Sequence, residues 1–205
     1  MRVTRYFQSC ILIEDGSVRV LVDPSGQEWD RMKDWGKLDA IFYTHEHGDH
    51  FDAEMAKTVV EQGIAPVYAN ASTAKLIKAS KTEVSDGQEF DIKGMKIKAA
   101  ELPHCLMVDG SEGPQNTGYL FNGQLFHPGD GVVLDGLTVE NLALPIAGPD
   151  ISLKDAFDFA IKTKAKKVIP IHYDYLGGNP DFFDSFANKH GIETQGLKIG
   201  ESAEI

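Results

Sequence analysis

Six consecutive residues, His45 to His50 (HEHGDH), constrain the fold of this chain more than any other feature. They place potential metal ligands at His45, His47, Asp49 and His50, directly after the short apolar run DAIFYT. A loop at the end of a strand can aim His45 and His47 at one ion, while Asp49 and His50 reach a second. The fold is therefore expected to gather further ligands at the end of this strand.

Three further potential ligands follow strand-like runs elsewhere in the chain. They are His104 in LPHC, Asp130 in FHPGD and His172 after VIPI. A sandwich of sheets gathers the loops at its strand ends along one edge, so these residues can converge. We predict a site for two divalent ions, with zinc favoured by the histidines and manganese or iron as alternatives.

The hydrophobic pattern predicts an α+β chain in the order β-rich, α, β-rich and α/β. Helices are predicted at 52–62, 72–79, 153–164 and 180–189, with a last short strand at 197–199. Asn122-Gly123 is a strong signal for a type I′ hairpin. We find no linker or internal repeat, and therefore treat residues 1–205 as a single domain, a two-sheet sandwich covered by helices.

Composition excludes several classes of function. The 42% hydrophobic and 25% charged content is typical of a soluble globular protein, and the net charge of −11 argues against a nucleic-acid partner. No apolar run approaches the ~20 residues that a membrane span requires, and the first residues lack a secretory signal. The two distant cysteines, Cys10 and Cys105, are typical of a cytoplasmic protein. We expect a small-molecule substrate and no membrane partner.

The order of these motifs resembles the metallo-β-lactamase superfamily over nearly the whole chain. The segments LVDP (21–24), FHPGD (126–130) and VIPIHY (168–173) resemble the subgroup of ascorbate-6-phosphate lactonase and uncharacterised metal-dependent hydrolases. The resemblance implies an αββα four-layer sandwich. It also implies that one ion is held by His45, His47 and His104, the other by Asp49, His50 and His172, and that Asp130 bridges them.

The implied activity is hydrolysis of a small ester, lactone or phosphoester by hydroxide from a binuclear site. Asp130, or alternatively Asp49, is expected to hold the attacking water and accept its proton. His127 is a candidate proton donor to the leaving group, with a structural role as the alternative. Asp23 is expected to orient a ligand histidine or the metal loop.

Three alternative functions share features of this sequence. A glyoxalase II-like thioesterase has the same motif, but no basic C-terminal anchor for glutathione is evident. A tRNA-maturation nuclease is disfavoured by the acidic charge, and a catalytically silent metal-binding protein by the complete ligand set. Trp29 and Trp35 could line the pocket mouth or a subunit contact, or equally pack in the core, so a homo-oligomer is compatible with the sequence.

Two positions depart from the subgroup pattern. Glu46 is charged where relatives often have a small or polar residue, and it could face solvent or tune the metal loop. Relatives often have threonine after the Gly-Asp pair, whereas this chain has Gly131 after Asp130. One contact near the bridging ligand is therefore absent. Both leave every ligand position filled.

Overall fold

The computed structural model describes residues Met1 to Ile205 and contains two seven-stranded sheets. In chain order the strands are β1 (Arg2–Arg5), β2 (Ile11–Asp15), β3 (Val18–Val22), β4 (Ala40–Tyr43), β5 (Val67–Asn70), β6 (Thr82–Val84), β7 (Glu89–Ile92), β8 (Met95–Glu101), β9 (Thr117–Phe121), β10 (Leu125–His127), β11 (Asn141–Pro145), β12 (Lys167–Ile171), β13 (Glu193–Thr194) and β14 (Ser202–Glu204). The first sheet has the order β14-β1-β2-β3-β4-β5-β6, and the second has the order β13-β12-β11-β10-β9-β8-β7. Each sheet is antiparallel on one side and parallel on the other.

Each of the four α-helices begins after a polar capping residue. They are α1 (Ala53–Glu61), α2 (Ala71–Leu76), α3 (Leu153–Lys162) and α4 (Pro180–Ala187), with 3-10 helices at Gly26–Asp34 and Asn188–His190. The side chain of Asp52 accepts a hydrogen bond from the Met55 amide at 2.7 Å, and Ser152 forms a capping box with Asp155. Such caps satisfy amides that the first helical turn leaves without partners.

Alternating side chains along the strands divide the core into three layers. In β3, Val20 and Val22 face a central cluster shared by both sheets, whereas Leu21 faces an outer cluster with α1. In β11, Ala143 faces the central cluster and its neighbours face α3 and α4. Successive strand residues point to opposite faces, so the apolar residues of β3 and β11 pack on both sides of their sheets. The result is the predicted α+β sandwich with four layers.

The structure differs from the sequence-based expectations mainly at the chain's short elements. The predicted strand at 197–199 is wrong, because the Leu197 carbonyl accepts hydrogen bonds from the side chains of Arg5 and Tyr173 instead of joining a ladder. The last strand is β14, which pairs Ala203 with Val3. The second helix is shorter than predicted, since α2 ends at Leu76.

The predicted turn at Asn122-Gly123 agrees with the backbone. Asn122 and Gly123 have φ angles of 48° and 66°, the positive values that a type I′ turn requires. Trp35 is fully buried in the outer cluster beside α1, while Trp29 is 39% exposed. None of the helices has the length and apolar character needed to cross a bilayer.

Candidate metal centre

The HEHGDH loop is held rigidly at both of its ends. It leaves β4 through Thr44 and closes in a tight turn in which the amides of His50 and Phe51 both donate to the His47 carbonyl at 2.9 Å. The Phe51 ring then packs edge-on against Tyr43, 5.0 Å between centroids. Asp52 begins α1 directly afterwards. The loop geometry is therefore determined by the strand before it and the helix after it.

The remaining ligand candidates reach the same place from the second sheet. His104 follows β8, Asp130 follows β10, and His172 follows β12. The structure brings all seven predicted ligands into two adjoining groups, in each of which the ligand atoms lie within 4.8 Å of one another. One group contains His45, His47, His104 and Asp130, and the other contains Asp49, His50 and His172.

Asp130 faces both groups with its two carboxylate oxygens. Its Oδ1 atom lies 3.2 Å from Nε2 of His50, and its Oδ2 atom lies 3.4 Å from Nε2 of His172. The Oδ2 atom is also 3.6 Å from Nε2 of His104, which belongs to the other group. A carboxylate in this position can contact two ions at once, which is the bridging arrangement that the resemblance implies.

Hydrogen bonds at Nδ1 determine which nitrogen each histidine presents. The Nδ1 atoms of His104 and His172 lie 2.6 and 2.7 Å from the carbonyl oxygens of Cys105 and Ala147. A carbonyl oxygen only accepts, so Nδ1 carries the proton and Nε2 keeps its lone pair. Both rings are thereby prepared as ligands through Nε2.

A buried carboxylate performs the same task for His45 and His50. Asp23 accepts from the Thr44 amide through Oδ1 and from the Thr44 hydroxyl through Oδ2, both at 2.7 Å. Oδ2 also lies 2.8 Å from Nδ1 of His50, and the Thr44 oxygen lies 3.0 Å from Nδ1 of His45. Asp23 thus orients one histidine of each group, and the role of Thr44 in connecting them was not predicted from the sequence.

Several of the inward-facing atoms have no partner within the protein. The Nε2 atoms of His45, His50 and His104, together with Oδ1 of Asp130, are buried without a hydrogen bond. Buried polar groups are almost always satisfied, so this concentration of unpartnered acceptors is what a cation-binding site requires. Imidazole and carboxylate ligands suit zinc and other borderline divalent ions, and the residues present therefore fit metal binding.

The ionisable side chains of the cluster have pKa values that are shifted in different directions. Burial, together with neighbouring His50, lowers the pKa of His45 well below its usual value, so this imidazole stays neutral. Burial also opposes protonation of His50, but the Asp130 and Asp23 carboxylates outweigh it and raise its pKa well above normal. Burial alone would raise the pKa of Asp130, but His50 and His172 hold it well below the usual range. The Asp130 carboxylate is thus ionised and favours a positive charge beside it.

His127 lies beside the centre but has no ring nitrogen available for a substrate. Its Nε2 atom lies 2.9 Å from the Ser9 carbonyl, and its Nδ1 atom accepts from the Gly129 amide at 3.2 Å. The side chain is fully buried, and burial lowers its pKa. The expected proton donation to a leaving group therefore has no support in this geometry, and His127 instead braces the turn that carries Asp130.

Other supporting residues were not recognisable in the sequence. The side chain of Asn116 donates to the Pro128 carbonyl at 2.9 Å and accepts from the Asp130 amide at 3.3 Å. A side chain at Gly129 would lie 2.1 Å from Asn116 Oδ1, so this tight turn requires glycine. An asparagine in a loop is too common to have signalled this role.

Two residues that adjoin ligand histidines in the sequence point away from the site. The carboxylate of Glu46 accepts from the Ser72 hydroxyl at 2.6 Å and from the Thr73 hydroxyl at 3.2 Å, which ties the metal loop to α2. The Tyr173 hydroxyl donates to the Leu197 carbonyl at 3.0 Å, and its ring lies under the Arg5 guanidinium. Glu46 therefore anchors the loop, and Tyr173 faces away from the ligands.

The chain is similar in sequence to known proteins over most of its length. Residues 2–172 match the family model described as the beta-lactamase superfamily domain. A UPF0173 protein from Pyrococcus furiosus is 30% identical over 100% of both chains, and a UPF0173 metal-dependent hydrolase from Korarchaeum cryptofilum is 29% identical over 100% of both.

Solved structures show the same fold at lower sequence identity. Igni18, described as a novel metallo hydrolase from Ignicoccus hospitalis, superposes with a TM-score of 0.79 at 19% identity, covering 98% of this chain and 97% of that one. The metallo-beta-lactamase fold protein YhfI from Bacillus subtilis has a TM-score of 0.77 at 15% identity, covering 98% of each chain. The predicted sandwich fold is therefore confirmed.

Proposed function

Because the chain belongs to the beta-lactamase superfamily and is a metal-dependent hydrolase, we propose that it acts through two divalent ions on a small uncharged ester or lactone. The observation that supports this most directly is the pair of adjoining ligand groups with Asp130 facing both. Zinc is the proposed metal, with manganese or iron as alternatives. The free cysteines Cys10 and Cys105 are compatible with the proposed cytoplasmic location.

Two bound ions would polarise the substrate and make hydroxide available at neutral pH. His45, His47 and His104 would hold one of them, and Asp49, His50 and His172 the other. Asp130 would hold both through its two oxygens. The chain itself supplies the orientation, since Asp23 and the carbonyls of Cys105 and Ala147 fix the ligand imidazoles.

Asp49 is better placed than Asp130 to accept a proton during turnover. Its side chain is 27% exposed, whereas that of Asp130 is 3% exposed and directed at both ligand groups. Its Oδ2 atom accepts from the Gln8 side chain at 3.2 Å and lies 3.1 Å from Nε2 of His172, whereas its Oδ1 atom makes no hydrogen bond within the protein. We therefore assign proton acceptance and its transfer to solvent to Asp49, and bridging to Asp130.

The surroundings of His104 favour an uncharged substrate over a phosphoester. Two cavities of about 580 and 660 Å³ meet at His104 and Leu106. Acidic side chains line them, and the one basic side chain, Lys162, lies 2.6 Å from Asp135. The acidic residues are Asp150, Asp155 and Asp158 in one cavity and Asp86, Glu101 and Glu112 in the other. Such walls repel anions unless a cation intervenes.

The test is a panel of substrates with protein loaded with zinc, manganese or iron. We expect turnover of p-nitrophenyl acetate or of a simple γ-lactone, with much lower rates on bis(p-nitrophenyl) phosphate. His104→Ala should abolish activity, whereas His190→Ala, a matched change on the outer layer beside Phe157, should not. Hydrolysis of S-lactoylglutathione instead would indicate the thioesterase. Two bound ions without turnover of any substrate would indicate the catalytically silent metal-binding protein.

A further inference from the structure

Gln8 is a fully buried amide in the turn between β1 and β2, with a left-handed φ of 52°. Its side chain connects two distant parts of the chain. The Nε2 atom donates to Oδ2 of Asp49 at 3.2 Å, and the Oε1 atom accepts from the Tyr175 amide at 3.1 Å. Because a backbone amide only donates, the orientation of the Gln8 amide is determined, and its N–H group faces Asp49.

The backbone of Gln8 makes two more bonds to the same region. Its amide donates to Oδ2 of Asp174 at 2.7 Å, and its carbonyl accepts from the His172 amide at 2.9 Å. All four hydrogen-bonding groups of this residue therefore reach either Asp49 or the segment that follows β12. Two of the three members of one ligand group, Asp49 and His172, depend on Gln8.

His172 needs such support because its backbone is strained. It has a φ of 60°, in the left-handed region that residues with a Cβ atom rarely adopt. Strain of this kind persists only where surrounding contacts hold it. Here the Gln8 carbonyl holds the His172 amide, and the Ala147 carbonyl holds its Nδ1 atom at 2.7 Å.

A buried ion pair secures the same segment from behind. The Arg5 guanidinium, whose side chain is 1% exposed, pairs with Asp174 and lies 4.2 Å above the Tyr173 ring. Its Nη1 atom also donates to the Leu197 carbonyl at 3.3 Å. The carboxylate of Asp174 thus receives both Arg5 and the Gln8 amide, which fixes Gln8 relative to the segment after β12.

We propose that Gln8 is a positioning residue for the ion held by Asp49, His50 and His172. By donating to Oδ2 of Asp49, the oxygen that lies beside Nε2 of His172, it fixes the orientation of that carboxylate, and by its carbonyl it keeps His172 in the ligand conformation. This inference rests on the proposed two-metal function. It assigns no role to Gln8 toward the other ion, because His45, His47 and His104 make no hydrogen bond to it.

Two substitutions separate the contact with Asp49 from the contact with Tyr175. Gln8→Glu keeps an acceptor for the Tyr175 amide but removes the donor to Asp49, and Gln8→Met removes both. Gln124→Glu, at an exposed position in the β9–β10 hairpin, is the matched control. Each protein is stripped of metal and titrated with Zn²⁺ against a chromophoric chelator, which gives two successive affinities.

We expect both Gln8 variants to lose about 10–100-fold in affinity for one ion, the range typical of a lost outer contact, while the other affinity stays unchanged. Gln124→Glu should match the wild type. Equal weakening of both ions, or wild-type affinities in Gln8→Glu with losses only in Gln8→Met, would show a merely structural role and overturn the inference. A wild-type protein that binds a single ion would contradict the two-metal function itself, and the inference with it.

Discussion

Asp23 and His50 are both fully buried, and Oδ2 of Asp23 lies 2.8 Å from Nδ1 of His50. The same oxygen accepts from the Thr44 hydroxyl, which in turn accepts from Nδ1 of His45. One carboxylate therefore sets the tautomer of a histidine in each ligand group. Metal-binding histidines commonly depend on such an acceptor for their orientation.

Replacing Asp23 by asparagine should weaken metal binding with little change in shape. The new amide would direct an N–H group at the position that now accepts from His50, so Nδ1 of His50 would lose its proton and Nε2 would carry it. We expect affinity to fall by about 10–100-fold, measured by zinc competition with a chelator. The exposed Asp34→Asn change is the control, and equal affinities for both variants would contradict the role of Asp23.

Removal of Asp130 should abolish turnover while leaving the fold intact. This carboxylate faces both ligand groups, and its loss removes a negative charge close to the buried imidazoles of His50, His104 and His172. We expect Asp130→Ala to reduce kcat by about 10³-fold or more on any substrate that the wild type cleaves. Circular dichroism would verify the fold. Near-full activity in this variant would contradict the assignment.

Gly113 and Gly48 provide a matched pair of glycine substitutions. A Cβ atom at Gly113 would lie 2.2 Å from Nδ1 of His104, whereas one at Gly48, inside the metal loop itself, would meet nothing within 4 Å. Neither residue has a positive φ, so alanine suits both backbones. We expect Gly113→Ala to displace His104 and lower zinc affinity at least about tenfold, and Gly48→Ala to leave it unchanged. The reverse order would disprove this account of His104.

Glu28 should make the stability of the metal-free protein depend on pH. Burial raises the pKa of this carboxyl, although the Phe7 amide and Arg31 oppose the shift. The folded state then binds the proton more tightly than the unfolded state. The stabilisation that protonated Glu28 contributes is therefore present below its unfolded pKa and is lost as pH rises through its folded pKa. The glutamine in Glu28→Gln does not titrate. The free energy of unfolding of this variant, relative to the wild type, should therefore increase as pH rises above about 4.5.

The measurement is chemical unfolding at several pH values in the presence of a chelator, with the exposed Glu54→Gln variant as control. Glu54 lies on the surface of α1 near Lys57, so its substitution should give a difference with little dependence on pH. A Glu28→Gln difference that is constant from pH 4.5 to 7.5 would show that the Glu28 carboxyl has the same pKa in both states.

The fold class followed from the sequence because its signals are local. The apolar runs of β3 and β11, the caps Asp52 and Ser152 and the Asn122-Gly123 turn each act within a few residues. Short edge strands were harder to predict. The chain's last strand depends on pairing between Ala203 and Val3, and nothing near Ala203 in the sequence signals that partner.

The sequence by itself determined which residue types are available as ligands and in what order, since an HxHxDH loop and three strand-end ligands leave few other uses for these side chains. Only the tertiary structure decided how they are aimed. The contact between Gln8 and Asp174 spans 166 positions, and that between Asp23 and His50 spans 27. The structure also shows that the two ring nitrogens of His127 face Ser9 and Gly129, so neither is available to a substrate. Hydrogen bonds have a reach of about 3 Å, so partners distant in sequence are known only once the chain has folded.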